Sequence, residues 1–75
     1  MTKGALKKRS MRIAGHRTSI ALEDEFWTAL EAIALARNLS LPKIVASIDS
    51  TRAKDDEDAP SLASAVRVFV LQNRL

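Results

Sequence analysis

Arg17-Thr18-Ser19-Ile20-Ala21-Leu22 is a short alternating stretch that closes a basic segment and runs directly into a helical pattern from Glu23. In an extended chain Thr18, Ile20 and Leu22 share one face, and Arg17, Ser19 and Ala21 share the other. A strand with one core-seeking face needs a mate, because its backbone groups are otherwise unpaired. No second segment reads as well as a strand: Met11-Arg12-Ile13-Ala14 reads as an extension of the first, with Gly15 interrupting it as a bulge or bend. The sequence therefore predicts that the mate is the same stretch of a second copy, paired antiparallel about a two-fold axis.

Beyond this stretch the period changes. Phe26, Trp27, Leu30, Ile33 and Ala34 recur at helical spacing, which predicts a helix from about Glu23 to Arg37. Glu23, Asp24 and Glu25 crowd its first turn, where the helix dipole favours anions, and Arg37 closes it. Asn38 is suited to the left-handed conformation that ends a helix, and Ser40 is a candidate N-cap for the next. Leu39 and Ile44 flank that cap at the spacing of a hydrophobic staple, and Pro42 falls in the first turn, where its missing N–H does little harm. This second helix carries Leu41, Ile44, Val45 and Ile48 on one face and fades by about Arg52. Pro60 and Ser61 then open a third helix, from Leu62 to about Arg74, whose apolar residues cover a broad arc. That breadth predicts packing between the first helix and a partner subunit.

Seventy-five residues make one small domain of marginal stability as a single copy, a further reason to expect a dimer. The expected division is a flexible basic arm over 1–10, a core over 11–52, an acidic linker over 53–60 and a C-terminal helix over 61–75. The dimer core is expected to draw on Ile20, Leu22, Phe26, Trp27, Leu30, Ile33, Ile44, Val45, Ile48 and Phe69.

Charge is unevenly distributed. The net charge is +3, yet residues 1–19 hold Lys3, Lys7, Lys8, Arg9, Arg12 and Arg17 with no acid, so the remainder carries −3. A basic segment of this kind is an electrostatic footprint for a polyanion, nucleic acid above all. An anionic membrane fits less well, because the segment lacks large apolar residues on a helical face. No apolar run approaches the roughly 20 residues that span a bilayer, and the first residues lack the apolar centre of a secretory signal. A cytoplasmic, nucleoid-associated protein is expected.

Several chemistries find no footing. There is no cysteine, and His16 is the one histidine, so neither a disulfide framework nor a zinc site is expected. Asp55-Asp56-Glu57-Asp58 is contiguous, without the alternating ligands and glycine of a calcium loop, and reads as a solvated linker. No glycine-rich phosphate loop, nucleophile with an activating base or paired catalytic carboxylate stands out; the acids from Glu23 to Glu25 read as helix-end electrostatics. No enzyme, metal or cofactor is expected.

The order of elements, with RTSIAL followed by EDEFWTALEAIALARNLSLPKIVASI and then SLASAVRVFVLQNRL, resembles the ribbon-helix-helix superfamily of DNA-binding proteins, in a branch with an extended C-terminal helix. The fold so implied is mostly α with one short β-strand, an intertwined homodimer whose two-stranded antiparallel ribbon forms between subunits, plus a third helix. Its ribbon would enter the major groove of double-stranded DNA, with Arg17, Ser19 and Ala21 at the base-reading positions. Arginine can bond guanine bidentately and serine can donate or accept, whereas a methyl group offers only apolar contact to thymine. The resemblance also implies phosphate anchoring at the start of the second helix by Ser40, Leu41 and Lys43. Lys7, Lys8, Arg9 and Arg12 are expected to add phosphate contacts. A transcriptional repressor is the leading expectation; an antitoxin with a toxin partner, or a dimeric adaptor that does not bind DNA, are the alternatives.

Overall fold

The computed structural model describes residues 5–52 and 60–74. Two strands, β1 (Leu6–Ile13) and β2 (His16–Glu23), are followed by α1 (Asp24–Ala36), α2 (Leu41–Thr51) and α3 (Leu62–Gln72).

The two strands form an antiparallel hairpin within one chain, with Ile13 opposite His16 and Leu6 opposite Glu23. This corrects the expectation that the mate of β2 comes from a second subunit. It also corrects the flexible arm: Leu6 to Ser10 are paired backbone, while Lys3 lies outside the described residues. The physical reason is the connection. Ala14 has φ 51° and Gly15 φ 83°, and positive φ at both central residues is the two-residue hairpin geometry that matches the right-handed twist of paired strands. Gly15 is therefore the second residue of a reversing turn and not a bulge inside one strand.

A two-stranded hairpin alone is marginal in water, so its inner face has to be covered. Ile13, Ile20 and Leu22 supply that face and join Trp27, Leu30, Ile33, Ala34, Ile44, Val45, Ile48, Val66 and Val70 in one buried cluster. Eight of the ten residues expected at a subunit interface are thus buried inside a single chain, while Phe26 and Phe69 are half-buried against the same cluster. The third helix packs against α1, α2 and β2 of its own chain, which is where the arc of apolar residues goes. Val68 and Leu71, on its far side, stay exposed.

Local chemistry fixes the helix ends. The extended Glu23 leads into α1, whose first turn holds Asp24 and Glu25, and Arg37 follows its last residue. Asn38 takes φ 61°, the left-handed conformation that stops the helix. The Ser40 hydroxyl accepts from the Lys43 amide at 3.3 Å and Ser61 accepts from the Ser64 amide at 3.2 Å, so α2 and α3 both begin on a serine cap. The acidic run from Asp55 to Asp58 lies outside the described residues.

Candidate nucleic-acid interface

Alternation sorts the cations of the hairpin into two sets. On β1, Lys8, Ser10 and Arg12 sit opposite Ala21, Ser19 and Arg17 of β2, so these six residues share the outer face. The inner face carries Lys7, Arg9, Met11 and Ile13 opposite Leu22, Ile20, Thr18 and His16.

Inner-face cations are engaged by α1. Arg9 lies 4.6 Å above the centroid of the Trp27 ring and donates to the Glu31 carboxylate at 2.8 Å. Lys7 approaches Asp24 at 3.5 Å, and its backbone carbonyl accepts the Trp27 indole N–H at 2.8 Å. The guanidinium of Arg9 lies over the face of the aromatic ring and reaches Glu31 from there. Arg9 and Lys7 thus lie on the ribbon face that meets α1, opposite the face where Lys8 and Arg12 project.

The outer face is different. Among the described residues Lys8, Arg12 and Arg17 have no carboxylate within ion-pair distance. Arg12 and Arg17 are directly opposite each other across the strands, an arrangement of like charges that costs stability in isolation and is relieved by an anion between them. Ser10 and Ser19 are joined by a 2.8 Å hydroxyl hydrogen bond midway along the face. Hydroxyls in contact can each still bond a third group, since each has one donor and two lone pairs. The face is therefore cationic at its turn end, hydroxylic at its centre, and mixed at the end where Lys8 faces Ala21.

Arg17, Ser19 and Ala21 do share the outer face, and the structure brings Lys8 and Arg12 to it as well. Ser10 is the residue missed from sequence. Its signal was the alternate spacing of Lys8, Ser10 and Arg12, which repeats the spacing of Arg17, Ser19 and Ala21. Ser40, Leu41 and Lys43 form a separate group at the start of α2. There the Lys43 amide is already taken by the Ser40 hydroxyl and Pro42 has no N–H, which leaves the Leu41 amide, the Ser40 O–H and the Lys43 ammonium as the groups with donors to spare.

At the junction of β2 with α1, the Glu23 carboxylate accepts from the Arg67 guanidinium at 3.0 Å. Its pKa is held below the usual glutamate range, first by its own backbone amide and then by the hydrogen bond from Arg67. The acid nearest the outer face is thereby turned toward α3. Among the described residues no cluster of histidines or acids could hold a metal ion, and no helix is long and apolar enough to cross a membrane.

A hairpin with a cationic outer face, followed by helix, tight turn and helix, is the arrangement that the ribbon-helix-helix domain model matches over residues 6–73. The chain belongs to the ribbon-helix-helix family. Members are typically DNA-binding transcription regulators or antitoxins, the fold is a non-enzymatic one, and they generally bind DNA as dimers. No curated protein and no solved structure gives a significant match to the chain.

Proposed function

We propose that this ribbon-helix-helix chain binds double-stranded DNA in a sequence-dependent way, with the outer face of the hairpin in the major groove, and that it regulates transcription by occupying its site. The observation that carries the reading is the segregation of charge: Lys8, Arg12 and Arg17 project outward beside two serines, whereas Lys7 and Arg9 are held by acids of α1. A two-stranded ribbon fits the major groove, arginine and serine are suited to base edges, and lysine is suited to phosphate. The start of α2, with Lys43 and the Leu41 amide, adds a phosphate anchor.

The test is duplex binding as a function of salt. Each neutralised phosphate adds about −0.9 to the slope of log K against log salt, so a chain with three or four such contacts should give a slope of roughly −3 to −4. Selection from random duplexes should return a defined sequence, and Arg17→Ala should flatten the preference at one or more positions. Very weak, salt-independent binding would refute the reading and favour an adaptor role.

A further inference from the structure

Ser10 is the hydroxyl around which the outward cations of the ribbon gather. Lys8 and Arg12 flank it two residues to either side on the same face, and Arg17 lies diagonally across on β2, beyond the directly opposed Ser19. Same-face neighbours on one strand are about 7 Å apart and diagonal neighbours about 7–8 Å, within reach of a lysine or arginine side chain. The Ser10 and Ser19 hydroxyls share a 2.8 Å hydrogen bond, and both serines are exposed, as are the three cations. Among the described residues, none of Lys8, Arg12 and Arg17 has an acid within ion-pair distance. Three cations thus surround one hydroxyl with no carboxylate paired to them.

We propose that Ser10 is a phosphorylation site, modified by a serine kinase with an acidic substrate groove, and that the phosphate closes the outer face to DNA. The effect on DNA rests on the reading of that face as the DNA interface; the site itself stands on sequence and geometry. Two observations favour Ser10 over the other serines. Within three residues of it lie Lys7, Lys8, Arg9 and Arg12, whereas within three residues of Ser19 the one lysine or arginine is Arg17. Kinases select substrates by charge patterns of this kind. Ser10 also stands in an extended strand of a two-stranded sheet, while Ser40 and Ser61 cap helices and Ser47 and Ser50 lie within α2. In the transfer, Ser10 Oγ forms a bond to the γ-phosphorus of a nucleoside triphosphate and the bond from that phosphorus to the β–γ bridging oxygen breaks. The nucleoside diphosphate leaves, and the hydroxyl proton passes to a base of the kinase. The product carries about −1.5 to −2 of charge and three strong acceptor oxygens, which Lys8, Arg12, Arg17 and the Ser19 hydroxyl are placed to satisfy. The opposed pair Arg12 and Arg17 then shares an anion that belongs to the chain instead of to DNA, and the +3 of the three cations falls to about +1 to +1.5.

Incubation of the full chain with ATP and a serine kinase that requires basic residues around its target, followed by peptide mass mapping, should place one phosphate on Ser10. Ser10→Ala should abolish that incorporation and Ser19→Ala should retain it. Phosphate on another residue, or none where a basic control peptide is labelled, overturns the site. The consequence is read on a full chain synthesised with phosphoserine at position 10. Its duplex affinity at about 0.1 M salt should be lower by about tenfold or more, and the slope of log K against log salt shallower by about 1–2 per chain. Ribbon-helix-helix domains generally bind DNA as dimers, and each chain of a dimer brings its own Ser10. Because the phosphate lies beside opposed like charges, Tm should rise by about 2–4 °C, and Arg12→Gln with Arg17→Gln should remove the rise. A fall in Tm would mark the phosphate as a disruption of the hairpin and sink the proposal. Unchanged duplex affinity, where the unmodified chain binds, would refute the closing of the face and leave DNA binding intact. If the unmodified chain retains no duplex at low salt, the DNA-binding proposal fails and the closing of the face with it, while the mapped phosphate and the Tm shift still decide the site.

Discussion

The hairpin turn gives the sharpest test of this structure, because the ribbon is a property of one chain only if Ala14 and Gly15 reverse it. Ala14 sits at φ 51°, in the left-handed region that costs an L-residue roughly 1–2 kcal/mol. Asparagine tolerates that region better, so Ala14→Asn should recover about 0.5–1 kcal/mol and create the Asn-Gly sequence that two-residue turns favour. For a chain of this size 1 kcal/mol moves Tm by about 4–8 °C, so a rise of about 2–8 °C is expected. The opposite perturbation is Gly15→Ala. A methyl group placed there would meet nothing within 4 Å, so sterics with the rest of the fold contribute no penalty. The cost is that of φ 83° for a residue with a side chain, about 1 kcal/mol or more, and Tm should fall by about 5 °C. Thermal unfolding followed by circular dichroism measures both. If neither substitution moves Tm, or if the two move it in the reverse senses, residues 14 and 15 do not form this turn and the ribbon is not built as described.

Three other outcomes follow from the contacts. Trp27→Phe removes the indole N–H that bonds the Lys7 carbonyl and shrinks a side chain that is 1 % exposed, so denaturant unfolding should show a loss of about 2–3 kcal/mol. Arg9→Ala and Lys8→Ala, adjacent residues on opposite faces, should separate stability from binding: the first should cost about 1 kcal/mol of folding through Trp27 and Glu31, and the second should leave Tm within error while weakening duplex binding. Because the folded pKa of Glu23 is depressed, its contribution is present above the ordinary glutamate range and is lost as pH falls through the lower folded value. Glu23→Gln should therefore flatten the acid side of a Tm against pH curve, and an unchanged acid limb would remove the Glu23–Arg67 contact from the account.

The helices were legible because their signals are local. Ser40 caps α2 and Asn38 takes the left-handed conformation, since a cap or a stop depends on a few neighbouring backbone groups. The stripe Trp27, Leu30, Ile33 and Ala34 marked the buried face of α1 in the same way. The first strand was not legible, and the reason lies in its inner face. Lys7 and Arg9 occupy positions where alternation calls for apolar residues, so β1 lacks the period-two hydrophobic signal until Met11 and Ile13. What makes cations tolerable there is Trp27, Asp24 and Glu31, at least 17 residues away in sequence and brought close only by the fold. The turn hid itself as well, because Ala-Gly lacks the asparagine or aspartate that announces a two-residue loop. The outward set Arg17, Ser19 and Ala21 could be read from alternation alone, whereas the matching spacing of Lys8, Ser10 and Arg12 gains meaning only once β1 is paired with β2.

The third helix explains how so short a chain closes a core around its own hairpin. A hairpin and two helices leave the packed side of β2 and α1 open, and α3 closes it with Val66 and Val70, one turn apart and both buried. Polar contacts fix where it lies. Arg67, between those valines in sequence, reaches back to Glu23 at the end of β2, while Arg37 at the end of α1 donates to Asn73 at 2.9 Å and stacks 5.2 Å from the Phe69 centroid. Both ends of α1 are thereby tied to α3 by an arginine. Polar contacts that keep part of their solvent add little free energy, so burial of the valines holds the helix and the arginines set its register. The consequence reaches the ribbon: β2 is clamped from behind by α1 and α3, β1 by α2 and by Trp27, and the outer residues project from a support that a free hairpin lacks.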